Sequence, residues 1–192
     1  IERPAKNIGE ETLNKISEEG RECGLNLSDF LSFKNYNFIE PYSQLIEQHD
    51  NGRIVVLDTE TTGINPASDE IVQVYAREII NGKLGQEFHH YLKNTKSVGS
   101  AYFVHKISDE FLKEKGEDPK KIFKKLKEFI GDSIISGHNV VFDLNMIKEN
   151  SKRYKIDIDF KNYYDTLDLS RRFLNLDSYK LSNIAKHLNF KS

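Results

Sequence analysis

From Arg53 onward the order of apolar and polar positions reads as strand. Ile54-Val55-Val56-Leu57 is an unbroken, largely β-branched run, the pattern of a strand covered on both faces. Residues 70–80 carry Ile71, Val72, Val74, Tyr75, Ile79 and Ile80 as a second strand, and residues 83–92 form a third. Asn81-Gly82 between them is a hairpin signal, because both residue types tolerate the positive φ of a tight hairpin turn. An antiparallel meander of three strands is therefore expected. The period then changes. Ile122, Phe123, Leu126, Phe129 and Ile130 fall on one stripe of a helix over 119–130, and Gly131 ends it. Further helices are expected over 108–115, 140–151, 165–174 and 181–188. A short strand is expected over 133–136, and a short extended segment ends at Tyr163-Tyr164. Strands first, then strands alternating with helices, give an α/β fold: a mixed sheet flanked by helices.

The first fifty residues differ. Residues 10–22 read as a charged helix with Leu13 and Ile16 as its apolar positions, and Leu27, Phe30 and Leu31 mark a short amphipathic turn. Pro41 opens a helix over 42–49, and Asp50-Asn51-Gly52 reads as the turn that follows. So few large apolar groups make this region marginal alone. The expected organisation is a helical annex at 1–51 packed on a main domain at 52–192.

Composition narrows the function classes. Of 192 residues, 30% are charged, and no apolar run approaches the roughly 20 residues of a membrane span, so no membrane partner is expected. No signal peptide is visible. The lone Cys23 rules out an internal disulfide and a thiolate zinc cluster, and it suits a reducing, cytoplasmic setting. The net charge of −2 excludes a globally basic nucleic-acid coat, so any hold on nucleic acid would rest on bound cations. Lys120, Lys121, Lys124, Lys125 and Lys127 read as the solvated face of their helix rather than as a phosphate contact.

The sharpest chemical signal is Asp58-Thr59-Glu60-Thr61-Thr62-Gly63 at the end of the first strand. Strand side chains alternate, so Asp58 and Glu60 point to one face, about 7 Å apart. Two such carboxylates raise each other's pKa, and a hard divalent cation, Mg²⁺ or Mn²⁺, removes the conflict. Gly63 allows a sharp turn where a ligand approaches. The second signal is Ser136-Gly137-His138-Asn139-Val140-Val141-Phe142-Asp143, where a strand gives way to a helix. Asp143 lies one turn in, on the face of Met146 and Ile147. An inward acid there needs a cation or a hydrogen-bonded partner. Asn139 is expected to share that face, as a cap or as support for Asp143. Adjacent His89 and His90 face opposite ways and form no metal site.

Asp58-Thr-Glu60-Thr-Thr-Gly and His138-Asn139-x-x-Phe142-Asp143 resemble the first two motifs of the DEDD 3′–5′ exonucleases, and the chain is most similar to the proofreading (epsilon) exonucleases of bacterial replicative polymerases. Three more stretches support this in the right order. Val104-His105-Lys106-Ile107 is similar to the family's Val-His-Gly-Ile segment, Tyr164-Asp165-Thr166-Leu167 to its Asp-Thr-Leu helix start, and Leu181-Ser182-Asn183-Ile184-Ala185 to its Leu-x-x-Leu-Ala helix. The resemblance covers residues 53–192. It implies a ribonuclease H-like fold and two-metal hydrolysis of a terminal phosphodiester, the two cations about 3.5–4 Å apart. It implies Asp58, Glu60 and Asp143 as catalytic metal ligands, with Asp58 bridging both ions. His105, Asn139 and Gly63 would line the substrate, and Thr61 and Thr62 would offer backbone N–H groups to the terminal sugar or phosphate. Phe142 would be core. The implied substrate is a single-stranded or frayed 3′ end of DNA, and a polymerase subunit is a possible partner.

The family also has a fourth acid, with a histidine base five residues before it. His187 plus five is Ser192, so no such pair is present here. Asp165 and Asp168 read as a helix cap and a first-turn acid, and His187 as a helix-surface residue. The chain begins at Ile1 and ends directly after a helix, so the natural protein is expected to continue past Ser192 with the missing pair. Two other readings stay open: a non-catalytic nucleic-acid or polymerase-binding member with a decayed site, and an RNA-trimming exonuclease.

Overall fold

Arg53–Thr61 forms strand β1, which outruns its aliphatic segment and carries Asp58 and Glu60 within the ladder. The structure, a computed structural model, describes residues 42–160 and 162–190. The helices expected over 10–22 and 26–33, and with them most of the proposed annex, lie outside the described residues. From Tyr42 onward the chain forms one unit. It begins with helix α1 (Ser43–Asn51), which lies against β1 and the next strand. That helix runs two residues further than expected, so the chain turns at Gly52 alone rather than over Asp50-Asn51-Gly52. Gln48 closes the bend by accepting from the Arg53 N–H at 3.3 Å.

Strand β2 (Ile71–Ile80) pairs antiparallel with β1, and β3 (Lys83–Tyr91) pairs antiparallel with β2. The hairpin between them has positive φ at both Asn81 (49°) and Gly82 (71°), as the turn chemistry requires. A 3₁₀ turn (Gly99–Ala101) leads into the short helix α2 (Tyr102–His105), which the apolar pattern does not announce. Helix α3 (Asp109–Lys115) starts on a Ser108 cap, and α4 (Pro119–Ile130) starts on an Asp118 cap with proline in its first turn. Strand β4 (Ile134–Gly137) runs parallel to β1, and β5 (Tyr163–Asp165) runs parallel to β4. Helices α5 (Val140–Arg153), α6 (Thr166–Phe173) and α7 (Leu181–His187) complete the described residues. The sheet order is β3-β2-β1-β4-β5, the mixed sheet expected from the sequence.

Two cores hold it. In the larger, Val55 and Leu57 of β1 and Val74 and Ala76 of β2 meet Ile122, Phe123 and Leu126 of α4 and Met146 and Ile147 of α5. Phe142 packs against this cluster, as expected. Each of the large side chains contributes roughly 1.5–3 kcal/mol by leaving water. The smaller core gathers Val72, Val98, Ile107 and Leu112 beside Tyr91. Because β1 alternates, Val55 and Leu57 turn toward α4 and α5, and Asp58 and Glu60 turn to the other side of the sheet. The lysine face of α4 therefore lies across the sheet from the two acids.

Candidate active site

Strand β4 pairs with β1 only from Ile54 to Val56 and ends at Gly137, so β1 projects past it. Gly137 makes this contact possible, since a Cβ there would stand 2.6 Å from the Leu57 carbonyl oxygen. The chain then turns through Asn139 (φ 62°) and starts α5 beside the free length of β1. One turn into α5, Asp143 is 3% exposed. Its Oδ1 accepts from the Thr59 N–H at 2.9 Å and the Thr59 hydroxyl at 2.6 Å. Thr59 lies between Asp58 and Glu60, so this contact docks the third acid onto the strand that carries the other two.

The electrostatics follow from this packing. Burial pushes Asp143 up to about 6, and the charge of Asp58 adds to the shift. Asp58 is open to water at one side, yet the protein around it removes enough hydration to raise its carboxyl too. Glu60 is raised first by burial and then by Asp58. Burial thus raises all three carboxyls, and the charge of Asp58 adds to the shift of both Glu60 and Asp143. Among the described residues no three His, Cys, Asp or Glu side chains stand together closely enough to hold a metal ion as they are placed. The donor set nevertheless fits a hard divalent cation: three carboxylates, all destabilised as anions.

The remaining expected residues divide. His105 closes α2, with Nδ1 accepting from the Ile107 N–H at 3.0 Å. Its ring lies by the Thr61 backbone, and burial lowers its pKa. Its Nε2 is buried without a hydrogen-bond partner. Thr61 turns its hydroxyl onto the Gly63 carbonyl (2.6 Å). Two expectations need correcting. The Thr62 N–H is committed to the Glu70 carbonyl at 2.9 Å, so it is not free to donate to a substrate. Asn139 precedes the helix, makes no side-chain cap, and donates its N–H to Asp165 at 2.8 Å. It does not hold Asp143, whose partner is Thr59. Gly63 does mark a close approach, but the neighbour is the Asp69 carboxylate, 2.5 Å from where a Cβ would stand.

Asp69 is a residue the sequence reading missed. It is buried, accepts from Thr62 Oγ1 (3.2 Å) and the Asn65 N–H (2.8 Å), and pairs with Lys96 at 2.5 Å. Glu70 beside it receives the N–H groups of Thr95 and Lys96. Together they fasten the loop after β1 to the segment that leads into α2. Asp165 caps α6 through the Leu167 N–H, as read from the sequence, and His187 is exposed on α7. His90 pairs with Glu117 and His89 with Gln73, so the two histidines diverge. Beside Asn139 an open groove of about 630 Å³ is lined by His138, Leu167, Arg171, Tyr179 and Lys180 among others.

Residues 55–192 match the family model described as exonuclease. The chain belongs to this exonuclease family. The exonuclease region is 34% identical over 139 residues to the PolC-type DNA polymerase III of Thermotoga maritima, covering 70% of this chain and 10% of that protein. It is 36% identical over 141 residues to the DNA polymerase III epsilon subunit of Rickettsia prowazekii, covering 70% of this chain and 61% of that one. The chain thus spans about a tenth of the PolC-type relatives. Among solved structures, exonuclease I has the same fold, with a TM-score of 0.66 at 20% identity over 72% of this chain and 36% of that one. E. coli exonuclease I bound to a dT13 oligonucleotide gives 0.63 at 21% identity, covering 70% and 35%. The five-stranded mixed sheet is the ribonuclease H-like sheet of these neighbours. Among the described residues of the exonuclease no helix is long and apolar enough to cross a membrane.

Proposed function

We propose that this chain is the catalytic part of a metal-dependent 3′–5′ exonuclease that removes nucleotides from DNA ends, as a proofreading domain does. The carrying observation is the docking of buried Asp143 through Thr59 onto the strand that presents Asp58 and Glu60. An apolar helix face has no structural need for a carboxyl pushed up to about 6. A site that gathers charge to hold cations does. Asp58, Glu60 and Asp143 are the residues that hold the ions, Mg²⁺ or Mn²⁺, two in a complete site. When bound, these ions supply the Lewis acidity that an in-line phosphodiester hydrolysis needs. The chain's own residues orient the strand end. His105, whose ring lies by the Thr61 backbone, borders the place of the terminal nucleotide, and Thr61 and Gly63 shape the loop beside it. Asn139 borders the groove where Arg171 and Lys180 favour phosphate. A single-stranded or frayed 3′ end is the substrate, a polymerase subunit is the partner, and the cytoplasm is the setting.

The test is release of mononucleotides from a 3′-labelled single strand with Mn²⁺. In a version of the protein that also supplies the fourth acid and its histidine, the otherwise unaltered sequence should release them, EDTA should stop it, and Asp58→Ala should abolish it while the far-ultraviolet spectrum is unchanged. Residues 1–192 alone should be slow or inactive. Release by Asp58→Ala at the wild-type rate would sink the assignment.

A further inference from the structure

We propose that His138 is a positioning residue of the nuclease: its Nε2–H bolts the strap of residues 174–180 to the end of β4, and so sets where Lys180 stands beside the candidate active site. This rests on the nuclease reading for what the strap serves. The strap links α6 to α7 and has no helix or strand of its own. It closes mainly on itself. The Tyr179 hydroxyl donates to the Leu174 carbonyl at 3.0 Å and accepts from the Leu176 N–H at 3.5 Å. Among the described residues, one hydrogen bond ties the strap to the sheet: His138 Nε2 stands 3.0 Å from the Tyr179 carbonyl. A carbonyl only accepts, so Nε2 carries the proton.

The other ring nitrogen sets the direction of this bond. Nδ1 stands 3.1 Å from the Thr166 hydroxyl, which itself donates to the Gly137 carbonyl at 3.0 Å. Thr166 is the first residue of α6, and Gly137 is the last of β4. The half-buried ring is thus held by the sheet at one end and holds the strap at the other. His138 directly follows β4 and lies five residues before Asp143, so the bolt is anchored on the segment that delivers the third acid. The groove of about 630 Å³ beside it carries Arg171 of α6 and Lys180 of the strap against Asp177, the one acid of its lining. Arg171 is placed by its helix. Lys180 stands between the bolted Tyr179 and α7, whose one buried residue is Ile184. His138 therefore supplies the polar anchor one residue before Lys180, and an anionic strand in the groove meets a fixed charge only while that anchor holds.

Two near-isosteric variants separate the ends of the ring. His138→Gln keeps an amide N–H where Nε2 stands, and His138→Asn keeps one only where Nδ1 stands. In residues 1–192, hydrogen exchange of amides 174–184 should quicken about fivefold in His138→Asn while those of β1 keep their protection. His138→Gln should stay near wild type. Ring ¹⁵N spectra of the wild type, with His138 assigned by its loss in His138→Gln, should show its proton on Nε2. In the version with a complete site, His138→Asn should raise KM for the oligonucleotide dT10 about fivefold and change kcat less than about twofold. A general loss of fold would move both. A proton on Nδ1 alone, unchanged exchange in His138→Asn, equal losses in the two variants, or a loss in kcat rather than KM would overturn the proposal. The exchange and the ring spectra need neither metal nor DNA, so they are separable from the nuclease reading, which stands or falls on nucleotide release.

Discussion

At Asp143 a single residue couples packing, proton uptake and metal affinity. Its native carboxyl is pushed up to about 6 by burial and by the charge of Asp58, against an unfolded value near 3.8. Between these values the native state binds the proton more tightly than the unfolded chain. Stability therefore falls as pH rises through this window and stays penalised above it. Two pKa units correspond to about 3 kcal/mol as an upper bound. Asp143→Asn removes the charge and keeps an oxygen for the Thr59 donors. In EDTA the variant should be about 2 kcal/mol more stable than wild type at pH 8, and the gap should close toward pH 4, as read by urea unfolding. Equal stability at both pH values would mean that the burial is relieved by something else. The same sign governs the chemistry, because cations compete with that proton and nuclease activity should climb through pH 6.

At the scale of elements, what was legible and what was not have a common physical cause. Strands β1 to β3 and helix α4 are set by local period, and their ends by local chemistry: positive φ at Asn81-Gly82 and the cap on Pro119. The acids at period two on β1 were legible for the same reason. The contact from Thr59 to Asp143, 84 residues apart, was not, so Asn139 was open to reading as a helix cap or as support for Asp143, when the strand provides that support. Helix α2 is four residues with no buried face, so it has no apolar stripe to read. Asp69 has no local pattern that marks it in the sequence. Its meaning appears only when Lys96, 27 residues on, folds over it. Burial pushes the Asp69 carboxyl up, but donors from Lys96, Asn65 and Thr62 outweigh it and leave it below the ordinary range. A lowered carboxyl contributes stability that is present above the unfolded value and lost as pH falls through the native one. Lys96 is half exposed, so the pair is worth less than a fully buried one. Lys96→Met should cost about 1–2 kcal/mol at pH 7 in thermal or urea unfolding, and the difference from wild type should shrink on acidification. A gap that widens on acidification would contradict the assignment of Asp69 as the partner.

For the molecule as a whole, charge and geometry separate two sets of lysines that the sequence alone leaves alike. The chain carries 28 basic and 30 acidic side chains, so attraction to DNA cannot come from its total charge. The basic residues of α4 form a row, but their helix is packed by Ile122, Phe123 and Leu126 onto the sheet face that holds Val55 and Leu57. Asp58 and Glu60 leave the sheet on the opposite side. Two of the row, Lys121 and Lys125, already lie within 3.8 and 3.9 Å of Glu117. A strand end engaged with the acids is separated from this row by the thickness of the sheet, about 10 Å with its side chains. At 0.15 M salt a charge beyond the Debye length of about 8 Å is largely screened. Lys106 belongs to the other side, on the segment that reaches Thr61. Replacing Lys120, Lys124 and Lys127 together by glutamate changes the net charge by six. It should nevertheless alter kcat/KM on dT10 less than about twofold at that ionic strength. Lys106→Gln removes one charge and should lower it several-fold, with the loss in KM rather than kcat. If the triple variant is the more damaged of the two, the strand crosses α4, and the approach to the acids runs along the far face of the sheet.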